Sequence, residues 1–422
     1  MLAEVPLIDL DRPPPPAPGR PSLAARPFLL VATLFAVLLT LGGAMPVPPG
    51  LTPVLTVNAP ATTFELAAGV FFLATRSEVR RYDLPSGTTR WRHGFDQMPM
   101  SLRYNADAGV LLSLSNVNPA LSPGLTALDA ATGRQLWSAE ARDTLVISLS
   151  RSGLLTEHDD YQGRSWLRLV DARTGGLIWT RPIEPAGFLG PDDLFTTGSP
   201  RIVTVGPTGR VVVISYADGR VLSEGELGPS GEPGHSRNVL ADSTAVSVVG
   251  DRLYLARRSN GHTSMTAYSV HPLTELWRVA DGAPLGTVTD CGPVLCVADA
   301  RWVSAMDPAG GGLRWSQPAW GIAYRYDATR LFAYDNQEEA DAALLDAATG
   351  RVVRRLGPSR QVGDLVLRAD GARTWVSVPD PAVGVLRTAG ALTDVAYLHC
   401  RSAGSYLACP TFSGQIRLWR VR

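Results

Sequence analysis

The sequence predicts an all-β chain, a single β-propeller of about eight four-stranded blades (seven or nine being possible), preceded by one N-terminal transmembrane helix. Three observations predict it. An Asp…Gly…Trp pattern returns at a mean interval of about 44 residues, a period typical of propellers and arrays. Short β-rich runs fill the space between copies, roughly four per interval. The only long apolar run lies ahead of the first copy.

Residues 1–26 read as a cytoplasmic, disordered tail, because Pro13-Pro14-Pro15-Pro16-Ala17-Pro18 favours extended polyproline II. Residues 27–47 carry no charge, and about 20 such residues cross a bilayer core as a helix. Arg20 and Arg26 precede this run and no charge follows until Glu65, so the positive-inside rule places the N-terminus in the cytoplasm and the propeller outside. The expected location is thus a bacterial cell membrane, spanned once. A cleaved secretory leader is the alternative, since Gly42-Gly43-Ala44 offers small residues to a peptidase. Residues 48–60 read as a linker and 61–422 as the propeller.

The strongest copy of the repeat runs from Ala127 through Asp129, Thr132 and Gly133 to Trp137. Asp171, Gly175 and Trp179 repeat it, as do Asp83, Gly87 and Trp91, and Asp307 with Trp315. Asp346 and Gly350 lack the Trp, Ser269 stands eight residues before Trp277, and Ser215 to Leu222 is looser. The unit reads as a β-hairpin. Asp accepts backbone N–H bonds in an Asx-turn, and Gly supplies positive φ. Trp offers a large apolar surface between neighbouring sheets, with an indole N–H that needs one partner. These are structural duties. After the seventh copy the pattern decays, and closure is expected from the segment near Val54–Val57, or strands after Thr62, joining the blade made by Tyr397 to Arg420.

On these residues the repeat resembles the PQQ-like, quinoprotein-type propeller repeat, over nearly everything from about residue 60 to 422. It is similar to the propeller scaffold of outer-membrane β-barrel assembly. The resemblance implies two opposed expectations. Scaffold members hold proteins; dehydrogenase members use pyrroloquinoline quinone, with a disulfide between adjacent Cys residues and a calcium ion held by carboxylate and amide groups. No adjacent Cys pair occurs here. No cofactor, metal or catalytic residue is therefore expected.

The four cysteines pair locally in this reading. Cys291 and Cys296 flank Gly292-Pro293, and Cys400 and Cys409 flank Ala403-Gly404, so each pair sits on adjacent antiparallel strands. Two disulfides suit an oxidising compartment. All 39 basic residues are Arg, a composition that fits GC-rich bacterial coding, and the formal net charge is zero. Zero charge argues against nucleic acid as a partner.

The six histidines are scattered over different blades, and no hydrolase, zinc or phosphate-loop motif is present. Glu157-His158-Asp159-Asp160 and Asp335 to Asp341 are acidic clusters read as solvated loops. Loops between second and third strands share a rim with the connections between blades, and the longer insertions fall in those two classes. That variable rim is the candidate recognition face, with Tyr161, Trp166, Phe188, Arg257, Arg258 and His262 as candidate contacts. The function expected is a membrane-anchored, extracytoplasmic module that binds a protein or envelope partner without catalysis. A small-ligand or cofactor sensor is the alternative, and a quinone-dependent dehydrogenase a minor one.

Overall fold

The computed structural model describes residues 50–422, except 59–62, 85, 116–123, 141–143, 151–152, 161, 163, 185–187, 191–199, 207–208, 228–243, 260, 300–301, 336–340 and 381–384. The chain divides after Pro49, and the fold described is that of Gly50–Arg422. The expected tail 1–26 and helix 27–47 lie outside the described residues. Among the described residues no helix is long and apolar enough to cross a membrane. The single-pass localisation expected from the sequence is corrected accordingly. Hydropathy reports only that side chains would partition into lipid, whereas spanning needs a helix that satisfies its own backbone, and no described helix supplies one.

Strands dominate, and hydrogen bonds join them into eight sheets, seven of four strands and one of seven. In blade one the strands Thr63–Ala67, Val70–Ala74, Glu78–Asp83 and Thr88–Gly94 pair antiparallel in sequence order. Blades two to six repeat this order, starting at Pro99, Thr144, Phe188, Thr244 and Thr287. The second strand is covered on both faces and reads as an unbroken apolar run, as Val70–Ala74 and Leu295–Ala298 show. The fourth strand faces water, and in Thr88–Gly94 only Trp91 is buried.

The seven-stranded sheet is two blades that share one strand. Val352–Val362 pairs along its first half with Asp341–Asp346 and from Ser359 onward with Leu365–Asp370. The outer strand of blade seven thus becomes the inner strand of blade eight without a loop. Blade nine consists of Arg401–Ala403, Tyr406–Pro410 and Ile416–Val421, and its outermost strand is Leu51–Val57 from the other end of the ring. Sheets therefore number eight, while four-stranded blades number nine among the described residues, one more than the eight expected and within the expected span of seven to nine. The apolar cores agree, since each lies between two successive blades and together they close a circle.

Closure uses the segment the sequence nominated near Val54–Val57. The expected linker 48–60 is corrected, because Leu51–Val57 pairs with Val421–Ile416 and its backbone groups are satisfied in the sheet. Glu65 of blade one meets Arg401 of blade nine at 3.0 Å across this seam. Burial pushes the Glu65 carboxyl up, against the pull of Arg401 and Arg103.

Both expected disulfides are present, Cys291–Cys296 and Cys400–Cys409, with Cα atoms 5.7 and 4.2 Å apart. Cys291 follows the first strand of blade six and Cys400 precedes the first strand of blade nine, and each is tied to the second strand of its blade. Both sulfur pairs are buried, one in the core between blades six and seven and the other between blades eight and nine.

Candidate functional site

The repeat residues first account for one rim. In blade two Asp129 Oδ1 accepts from the N–H groups of Ala131 and Thr132 and from the Thr132 hydroxyl, at 2.9–3.1 Å. Asp171 and Asp346 make the same turn. These bonds favour the ionised carboxylate. Arg173, reaching from the next blade, holds the Asp129 carboxyl below its usual range, and the Thr174 N–H does the same for Asp171.

Each Trp then docks on the turn of the following blade. The indole N–H of Trp91, Trp137, Trp179, Trp277 and Trp315 donates to the carbonyl of Ala130, Ala172, Tyr216, Pro308 and Ala347, at 2.9–3.0 Å. The ring lies flat on the next Gly: a Cβ on Gly133, Gly175, Gly219, Gly311 or Gly350 would fall within 3.0 Å of it. A register shift recurs beside each of these tryptophans, between Ala127 and Leu128 for Trp137, turning the ring toward its neighbour. Blade four departs from the rule with Ser223, whose hydroxyl donates to Val270 at 2.6 Å, the same carbonyl position. The reason lies in blade five, where Leu273 occupies the place that Gly takes elsewhere and leaves no room for an indole. Gly87 of blade one faces Val54 and Leu55 instead of a Trp, so the closing strand takes the lock's place there.

The opposite rim carries the candidate contacts, but not as one site. Tyr161 lies outside the described residues. Trp166 sits on Ser165–Val170 with the Arg164 guanidinium 5.4 Å above its ring and His158 alongside. Arg257, Arg258 and His262 belong to the long hairpin of blade five, where strands Arg252–Ser259 and His262–Val270 pair up to Ser259 and His262. The expected loop Arg258 to Thr263 is corrected, since the paired strands run on to Ser259 and His262. Burial lowers the Arg257 guanidinium. His262 bonds Asp281 at 3.0 Å and holds that carboxyl low.

Phe188 stands apart, at a cleft between blades three and four. The cleft has a volume of about 80 Å³, with apolar walls from Ile183, Leu189 and Val212, while the Phe188 ring turns away to pack on the core between blades four and five. Its polar groups are Glu157, Arg181, Glu184, Arg210 and Glu224. Arg210 pairs with Glu224 at 2.6 Å and Glu184 at 3.6 Å, and Arg181 Nε donates to the Gly219 carbonyl at 2.7 Å. Glu157 differs. It lies on the strand Gly153–Asp159 and is only 7 % exposed, so the solvated loop expected there is corrected. Strand alternation sets it on the face of Leu155, which packs against blade four. Burial raises its carboxyl, and Asp159 adds to the effect. Sequence reading missed its role because the run of acids looked hydrophilic. The one available signal was period two, which sets Glu157 in phase with the apolar Leu155.

The pattern of the family described as the outer membrane protein assembly factor BamB matches residues 75–301. The chain belongs to that family. The BamB structure from Moraxella catarrhalis is similar at 14 % identity, covering 88 % of this chain and 99 % of that one, with a TM-score of 0.47. The computationally designed Ika8 protein shares 10 % identity, 87 % and 98 % coverage and a TM-score of 0.43. A eukaryotic initiation factor shares 12 % identity, 87 % and 91 % coverage and a TM-score of 0.48. At these levels none of the likenesses extends to function. No curated protein matches the chain.

The adjacent cysteine pair that the resemblance to quinoproteins leads one to look for does not occur in this BamB-family chain. Its cysteines form two bridges between residues five and nine apart, with none left over. Among the described residues no group of three His, Cys, Asp or Glu side chains could hold a metal ion. Phe412, 79 % exposed at the tip of the Thr411–Gly414 turn, is a further residue of the variable rim that the sequence did not single out.

Proposed function

We propose that the chain is a protein-interaction scaffold of the BamB family, a rigid ring that presents one rim to a partner and carries out no catalysis. Membership of the family across residues 75–301 carries this reading. The repeat Asp, Gly and Trp residues support it, since all are occupied in turn formation and blade docking. Rigid scaffolds concentrate recognition on the loops they hold, and here the plain rim is uniform while the other rim carries Trp166, Phe188 and Phe412.

The test is purification of the full chain from the cells that make it, comparing Trp166→Ala and Phe412→Ser with the plain-rim variant Arg134→Ala. The expected result is a protein retained in fixed proportion by the wild type and by Arg134→Ala, and diminished by the two variable-rim substitutions. Loss through Arg134→Ala alone refutes the assignment of the rim. A quinone absorbance in the purified protein, or dye reduction, refutes the scaffold itself.

A further inference from the structure

The cleft between blades three and four presents a buried acid without a cation. Among the described residues the Glu157 carboxyl has no hydrogen-bond or ion-pair partner, although Glu157 lines the cavity. Both arginines of the cleft are engaged elsewhere, Arg210 between two carboxylates and Arg181 with the Gly219 carbonyl. Three carboxylates against two guanidiniums leave the lining with a formal charge of −1 (3 Glu − 2 Arg). The apolar lining is formed by Ile183, Leu189 and Val212.

We propose that this cleft anchors a basic side chain, arginine or lysine, of the partner protein, its aliphatic stem along Leu189 and Ile183 and its cationic head on Glu157. The proposal rests on the scaffold reading. A long basic side chain buries its methylenes while carrying charge at the tip, which matches apolar walls beside a buried carboxylate. An anion would meet Glu157, an Arg210 already ion-paired with two carboxylates and an Arg181 whose Nε is taken by the Gly219 carbonyl. A purely apolar group would leave the buried carboxyl without a donor, and that is a costly arrangement. The cationic head supplies the missing donor and counter-charge together. Gly206 is part of the construction, because a Cβ there would collide with the Glu184 carboxylate that holds Arg210 aside.

The experiment titrates the full chain with N-acetyl-arginine amide, N-acetyl-lysine amide and the neutral isostere N-acetyl-citrulline amide, by ligand-observed NMR. Wild type is expected to bind both basic amides at millimolar concentration, and citrulline at least about tenfold more weakly. Glu157→Gln is expected to weaken the basic amides by at least about tenfold while melting no lower than wild type, so that the loss is not unfolding. Citrulline binding as tightly as arginine, unchanged affinity in Glu157→Gln, or no binding of basic amides to wild type overturns the anchor. Retention of a partner by the wild-type chain is read in parallel. If the partner stays while the probes fail, the anchor is wrong and the scaffold stands; if no partner is retained, the scaffold reading itself fails.

Discussion

Gly350→Ala tests whether the Trp-on-Gly contact holds the ring together. Gly350 has φ of +69°, and a Cβ built there lies 2.5 Å from Cδ2 of Trp315. Left-handed backbone costs an alanine about 1 kcal/mol. Displacing the indole forfeits its bond to the Ala347 carbonyl, now 3.0 Å, at about 1 kcal/mol. Forcing the ring off its rotamer and opening part of its buried face adds about 1 kcal/mol more. The expected loss is about 3 kcal/mol, summed from these three terms. Gly371→Ala is the control, because Gly371 has φ of +58° and nothing within 4 Å of the new Cβ. It should cost only the backbone strain, about 1 kcal/mol. Urea unfolding of oxidised protein, followed by Trp fluorescence and circular dichroism, measures both. In a Trp315→Leu background the cost of Gly350→Ala should fall to that of the control, a coupling read from the double-mutant cycle. Equal costs for Gly350→Ala and Gly371→Ala would refute the reasoning.

Ser223→Ala removes the donor to the Val270 carbonyl and should cost about 1 kcal/mol, measured by the same unfolding assay. Ser223→Trp should destabilise more than Ser223→Ala, since Leu273 fills the space an indole would need, and a Trp variant as stable as wild type would sink that explanation. Reduction of the two disulfides, whose loops are short, should lower stability by about 2–3 kcal/mol per bridge, seen as a drop in the unfolding midpoint with dithiothreitol. Glu157→Gln should raise stability at neutral pH by no more than about 1 kcal/mol. The sign follows from its raised carboxyl: the folded state prefers the protonated form, so wild type loses stability as pH rises from the unfolded value of 4.5 through the higher folded one. The advantage of Gln should therefore shrink below that pH, and a constant advantage from acid to neutral pH would count against burial as its cause.

Features that depend on residues close in sequence were legible from the sequence. The Asp129 turn, the Gly133 conformation, the offset to Trp137 and the two cysteine pairings all arise within single hairpins, where strand pairing brings near neighbours together. The closing segment was also legible, because a ring must bury its edges and Val54–Val57 was an apolar run available to do it. Other features required the neighbouring blade. The seam at Ser223 makes sense only beside Leu273, and the strand Val352–Val362 joins two blades where the period alone suggested a break.

By itself, the sequence determined the architecture, the register of each hairpin and the rim on which the turns lie, because a repeated local pattern dictates repeated local geometry. The tertiary structure decided the number of blades, the strand Val352–Val362 that two blades share, and the burial of Glu157. Those depend on contacts between residues about 45 positions apart or at opposite ends of the chain, where an acid in a polar run and an acid beneath an apolar wall are spelled alike.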